Sequence, residues 1–160
     1  MKAFNRNNAE KSHGFTLMEI VIAIAIIGIL SAIAVPTYIS HRYEGKIGRA
    51  ISDIDTIESA VLHYIAEEGE LPDSLSDINI DIILDPWGRP YQYLRIDGGT
   101  SKDLKGLRRR DKNANPVNSD FDLYSMGKDG KTAAQFTAKN ARDDIVRAND
   151  GRYIGLAENH

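Results

Sequence analysis

One carboxylate, Glu19, stands at the front of a run, Ile20 to Ser40, that holds no charged residue. An ionised carboxylate at bilayer depth costs about 2.5–3.5 kcal/mol on insertion scales, so a sequence that keeps one there needs a reason. Phe15 lies four residues earlier, directly after Gly14. A cut of the Gly14–Phe15 bond would create a cationic α-amine one helical turn from Glu19. The residues before the cut carry Lys2, Arg6 and Lys11 against Glu10, a basic leader. An ordinary secretory signal places its small residues after the apolar region, whereas here Gly14 precedes it. Two readings stand side by side on hydropathy. In one, a leader is removed and the oily helix is kept. In the other, the chain is an uncleaved anchor whose glutamate reaches the headgroups.

Other residues offer weaker chemistry. Asp111, Asn113, Asn115, Ser119 and Asp122 fall at the oxygen-donor spacings of an EF-hand loop. Pro116 replaces the glycine of the sharp turn, the last donor is Asp rather than Glu, and no helix pair flanks the stretch. It reads as a polar loop. The triplet Arg108-Arg109-Arg110 suits either a small anion or partner patch or an exposed charged loop, and the second is the plainer reading. The four histidines, His13, His41, His63 and His160, form no metal-ligand spacing. There is no cysteine, so thiol catalysis, zinc–thiolate sites and disulfides are excluded. No phosphate loop, nucleophile elbow or His-Glu-x-x-His is present, and the expectation is that the chain is not an enzyme. A net charge of −3, with the basic residues of the leader counted in, gives no electrostatic reason to bind nucleic acid.

These groups must be positioned by a few elements. The uncharged run is long enough, at 1.5 Å per residue, to span a hydrocarbon core of roughly 30 Å. Pro36 sits within it and is expected to kink or locally melt the helix. Beyond it Tyr38, Ile47, Ala50, Ile51, Ile54, Ile57, Val61, Tyr64 and Ile65 recur at spacings of three and four, the stripe of an amphipathic helix. Gly45 and Gly48 are weak points, and Gly69 and Pro72 are stop signals. Asp85-Pro86-Trp87-Gly88 is turn chemistry. Strand patterns follow at Tyr91–Leu94, in "FDLYSMG" and in "RYIGL", about three in all. The tracts "DGGTSKDLKGLRRRDKNANPVNSD" and "KDGKTAAQFTAKNARDD" read as surface loops. The expected class is α+β: a long N-terminal helix packed on a small antiparallel sheet. Its parts are a leader (1–14), a hydrophobic helix (15–40), an amphipathic half (41–70) and a sheet-bearing head with long loops (71–160).

The stretch "GFTLMEIVIAIAIIGILSAIAVP" resembles the class III signal of type IV pilins and type II secretion pseudopilins, through Gly14, Phe15, Thr16, Leu17, Glu19, the apolar helix and Pro36. Downstream, "DPWGRPYQY" and "DLYSMGKDG" look like the G-type major pseudopilin family. The resemblance implies a pilin-like fold, cleavage after Gly14 by prepilin peptidase, and N-methylation of Phe15. It implies that Glu19 pairs with the Phe15 amine of a neighbouring subunit as a homopolymer grows. It further implies a single-pass inner-membrane protein with a periplasmic head, minor pseudopilins, an assembly platform and an ATPase as partners, and a filament that drives protein export. A type IV pilin building a surface fibre is the alternative, disfavoured by the missing cysteines and by the Asp-Pro-Trp-Gly segment. Members of the G-type family fix a C-terminal loop with Ca2+. The matching positions here are the Met126 carbonyl, Asp129, Asp143 and Asp144, although "KTAAQFTAKNAR" replaces the family's short glycine-rich link.

Overall fold

The computed structural model describes residues 14–80, 83–96 and 106–160, so the leader before Gly14 and part of the first polar tract lie outside the described residues. One helix, α1 (Leu17–Glu68), is followed by strands β1 (Gln92–Arg95), β2 (Phe121–Ser125), β3 (Ile145–Ala148) and β4 (Tyr153–Leu156). The chain divides into two compact units after His41.

In the first unit the helix is apolar on every side. Its large side chains from Phe15 to Ile39 are 49–83% exposed. The helix is long and apolar enough to cross a membrane. It continues through Pro36, which removes one ladder donor without ending the element.

In the second unit the helix becomes amphipathic and buries Ala50, Ile54, Ile57, Glu58 and Val61. Gly45 and Gly48 do not interrupt it. Gly69 ends it at φ +81°, where a side chain would be strained, and donates its N–H to the Ile65 carbonyl at 2.9 Å.

The sheet is an antiparallel meander in the order β1-β2-β3-β4. Its pairings set Tyr93 opposite Leu123, Tyr124 opposite Val146 and Val146 opposite Gly155. Because side chains alternate along a strand, the sheet carries two different cores. Phe121, Leu123 and Ile145 pack with the helix stripe and with Tyr91, Leu71 and Leu75. Tyr124, Val146 and Ala148 pack on the other side with Val117, Phe136 and Ala157.

This second core corrects two expectations. The tracts around 109–118 and 132–141 are not simple surface loops, since Arg109, Val117, Asn118, Phe136 and Ala141 are all buried. The Arg110 N–H donates to the Ala134 carbonyl and the Phe136 N–H to the Arg110 carbonyl, which stitches the two tracts together. The sheet also has four strands rather than about three. β3 escapes pattern reading because it is buried at every position, so no polar face marks it.

The two layers are joined by a buried ion network. Arg147 on β3 lies over the Phe121 ring at 3.9 Å and is 2% exposed. Its Nε donates to Glu58 Oε1 on the helix at 2.7 Å. Its two terminal nitrogens donate to the two oxygens of Asp120 at 2.8 and 2.7 Å. The turn after β3 places Gly151 at φ +83° against the Glu58 carboxylate, where a Cβ would collide with Oε1.

Candidate functional site

The first candidate site is the start of α1. Thr16 and Glu19 form a reciprocal capping box. The Glu19 N–H donates to Thr16 Oγ1 at 3.2 Å, while the Thr16 N–H and hydroxyl donate to Glu19 Oε2 at 3.0 and 2.9 Å. The carboxylate thus satisfies helix-start donors that would otherwise be orphaned. Phe15 and Glu19 are both exposed, as is Gly14. The Thr-x-x-Glu spacing was legible in the sequence, but Glu19 drew attention as an ion-pair partner and its capping role was missed.

The second candidate lies in the head, where two turns clasp one another. In the Asp85–Gly88 turn, the Gly88 N–H returns to the Asp85 carbonyl at 2.9 Å. Asp85 Oδ1 accepts the Trp87 and Arg89 N–H groups, each at 2.9 Å. Asp85 Oδ2 accepts the Ser125 hydroxyl at 2.6 Å, deep in the fold. Arg89 then reaches across to donate to the carbonyls of Gly127 and Lys128. Gly127 adopts φ +60° with no room for a side chain beside the Asp143 backbone. So the Asp-Pro-Trp-Gly-Arg and Ser-Met-Gly-Lys-Asp-Gly segments, far apart in sequence, are one structural unit.

The four positions matched to calcium surround this clasp. The Met126 carbonyl accepts the Gly130 N–H at 3.2 Å. Asp129 Oδ1 accepts the Lys131 N–H at 2.7 Å, and the Asp129 N–H donates to Asp143 Oδ2 at 2.9 Å. Asp144 is fully buried. Its Oδ2 accepts the Thr132 hydroxyl at 2.5 Å and lies 3.4 Å from Arg109 Nη1. Burial pushes the Asp144 carboxyl up to about 7, against the pull of Thr132 and Arg109, and the charges of Asp143 and Asp129 add to the rise.

Arg109 is therefore not an exposed member of an arginine patch. Its guanidinium is 2% exposed and lies over the Tyr124 ring at 3.4 Å. It donates to the Ala133 carbonyl and to Thr132 Oγ1. Its backbone N–H donates to Asp122 Oδ2 at 2.8 Å. Asp122, one of the EF-hand spacings, is thereby spent, with Asn118 Nδ2 on its other oxygen at 2.8 Å. Asp111 caps its own loop by accepting the Asn113 and Asn115 N–H groups. The Ser119 N–H and hydroxyl donate to Asp150, at 2.7 and 3.1 Å.

Residues 11–35 match the prokaryotic N-terminal methylation motif. Over 139 residues the chain is 32% identical to the type II secretion system core protein G of Pseudomonas aeruginosa, covering 74% of this chain and 84% of that one. The chain belongs to the type II secretion core protein G family. A core protein G from Aeromonas hydrophila is 28% identical, covering 76% of this chain and 86% of its own length. The type IV major pilin of Neisseria gonorrhoeae is 27% identical, covering 87% and 86%. No solved structure matches.

For a core protein G chain the expected ion is calcium, which wants several hard oxygen donors converging on one point. The donors are not drawn together on one point here. Among the described residues no three carboxylate or imidazole side chains form a group able to hold a metal. The Met126 carbonyl, Asp129 Oδ1 and Asp143 Oδ2 each accept one backbone N–H. The fourth donor, Asp144, faces a buried guanidinium.

Proposed function

We propose that this chain is the structural subunit of a type II secretion pseudopilus. It is cut after Gly14 by a prepilin peptidase, methylated on the Phe15 amine, and held in the inner membrane by one helix with its head in the periplasm. Subunits then leave the membrane one after another, under an ATPase and its platform and together with minor pseudopilins. The resulting filament pushes cargo towards an outer-membrane channel.

The observation that carries this reading is the start of α1. A methylation motif runs into a helix, and the large apolar side chains from Phe15 to Ile39 have no cover within the first unit. Such a surface needs lipid first and the helices of other copies later. Glu19 gives that transfer its register. In the uncut chain its carboxylate is held by Thr16. A neighbour's Phe15 amine would compete with those neutral donors, and a charge-assisted hydrogen bond is the stronger of the two.

The deciding measurement is mass spectrometry of the mature protein from membranes. A methylated Phe15 terminus is the expected result. An intact Met1 would return the chain to the reading of an uncut anchor. A Glu19→Ala variant is expected to remain in the membrane and to lose filament assembly, scored by shearing and blotting. Normal assembly would refute the ion-pair role.

A type IV pilus subunit is the second reading, favoured by the similarity to the gonococcal pilin over most of both chains. Deletion of the gene separates them, through loss of secretion in one case and loss of twitching or adhesion in the other.

A further inference from the structure

We propose that Arg109 serves as a built-in cation that replaces calcium in fixing the loop from Met126 to Asp144. The proposal goes beyond the filament reading and does not depend on it.

A calcium ion at this loop would have two tasks. It would gather oxygen donors from both ends of the loop and neutralise the carboxylates between them. The Arg109 guanidinium does so for the middle of the loop and its Asp144 end. It takes the Ala133 carbonyl and the Thr132 hydroxyl from the middle of the loop. It faces Asp144 at the loop's end, at 3.4 Å. Thr132 completes a triangle by donating to the same Asp144 oxygen at 2.5 Å. Stacking on Tyr124 of β2 and the bond from the Arg109 N–H to Asp122 anchor the cation to the sheet.

The unusual loop sequence fits this role. A short glycine-rich link would bring few side chains to the sheet. "KTAAQFTAKNAR" supplies Thr132 and the Ala133 carbonyl as acceptors, places Phe136 in the second core and buries Ala141. A guanidinium suits the position better than an ammonium, because its planar fork can serve several acceptors at once and stack on a ring. One oxygen, Asp144 Oδ1, is buried without a hydrogen-bond partner, so it is the atom that a metal would capture if the proposal were wrong.

The test uses the full chain in detergent micelles, with thermal unfolding followed by circular dichroism in EGTA and in millimolar calcium chloride. The proposal expects the same midpoint in both media, within about 1 °C. A midpoint raised by calcium by about 5 °C or more would overturn it, since a ligand that binds only the native state raises stability by mass action. Limited trypsin digestion reads the loop directly at Lys128, Lys131, Lys139 and Arg142. Cleavage rates there should not change on EGTA treatment, and a several-fold acceleration would count against the proposal. Arg109→Lys keeps the charge without the fork, and Arg109→Gln removes the charge. Both should accelerate cleavage in either medium, Gln more than Lys. Wild-type cleavage rates in either variant would show that Arg109 does not hold the loop.

Discussion

The two halves of α1 are continuous in backbone and opposite in design. From Leu17 to His41 the helix has no wet face and no cover within its unit, and from Arg42 to Glu68 it buries a single stripe against a sheet. The second half therefore contributes to the stability of the head, whereas the first half is free to change its surroundings. Intramolecular packing fixes one end of the helix, and the other end is stabilised only by whatever solvent surrounds it.

The sharpest way to break this comparison is at the ion network that joins helix and sheet. Arg147→Ala would leave Glu58 as an uncompensated buried carboxylate and Asp120 without its partner, and losing one partner of a buried pair costs about 3–5 kcal/mol. Thermal unfolding of the purified chain should show a large fall in midpoint. If the variant melts like the wild type, the network is not what ties the layers.

Paired truncations come next. Ile57→Ala removes a fully buried side chain from the helix–sheet core and should destabilise the head by about 2–5 kcal/mol. Ile27→Ala removes an exposed one and should leave head stability within about 0.5 kcal/mol. Equal effects would mean that the first half also packs on the head.

Acid sharpens the contrast further. Burial raises the Asp120 carboxyl, but the hydrogen bonds from Arg147 and from the Phe121 N–H together hold it below its ordinary 3.8. A depressed carboxylate contributes stability that is present above the unfolded value and is lost as pH falls through the folded one. The head should therefore lose stability as pH drops below about 4, and Asp120→Asn should flatten that limb. Denaturant melts at a series of pH values read both, and an unchanged slope in the variant would contradict the assignment.

The smallest effect belongs to the capping box. Thr16→Ala should cost about 1 kcal/mol at the helix start, seen as faster hydrogen exchange over the first turn, while the head midpoint stays unchanged.

Much of this molecule was legible in its residues. The helix stop at Gly69, the amphipathic stripe and three of the four strands follow from periodicity and turn chemistry, which are local. The N-terminal methylation motif is also local, since residues 11–35 are one unbroken stretch of chain. What periodicity could not show is the chemistry that spans the fold. β3 has no alternation, because both of its faces are covered. Arg109 and Arg147 look like solvated charges in sequence, and burying either one makes sense only once Asp144 or Glu58 is known to lie beside it.

The sequence by itself thus determined where the chain is apolar and where it turns, because each of these depends on neighbours a few residues away. Tertiary structure alone decided which charges are buried and what they hold. A guanidinium enters a core only when carboxylates from remote segments converge on it, and that convergence is set by the packing of helix, sheet and loop together.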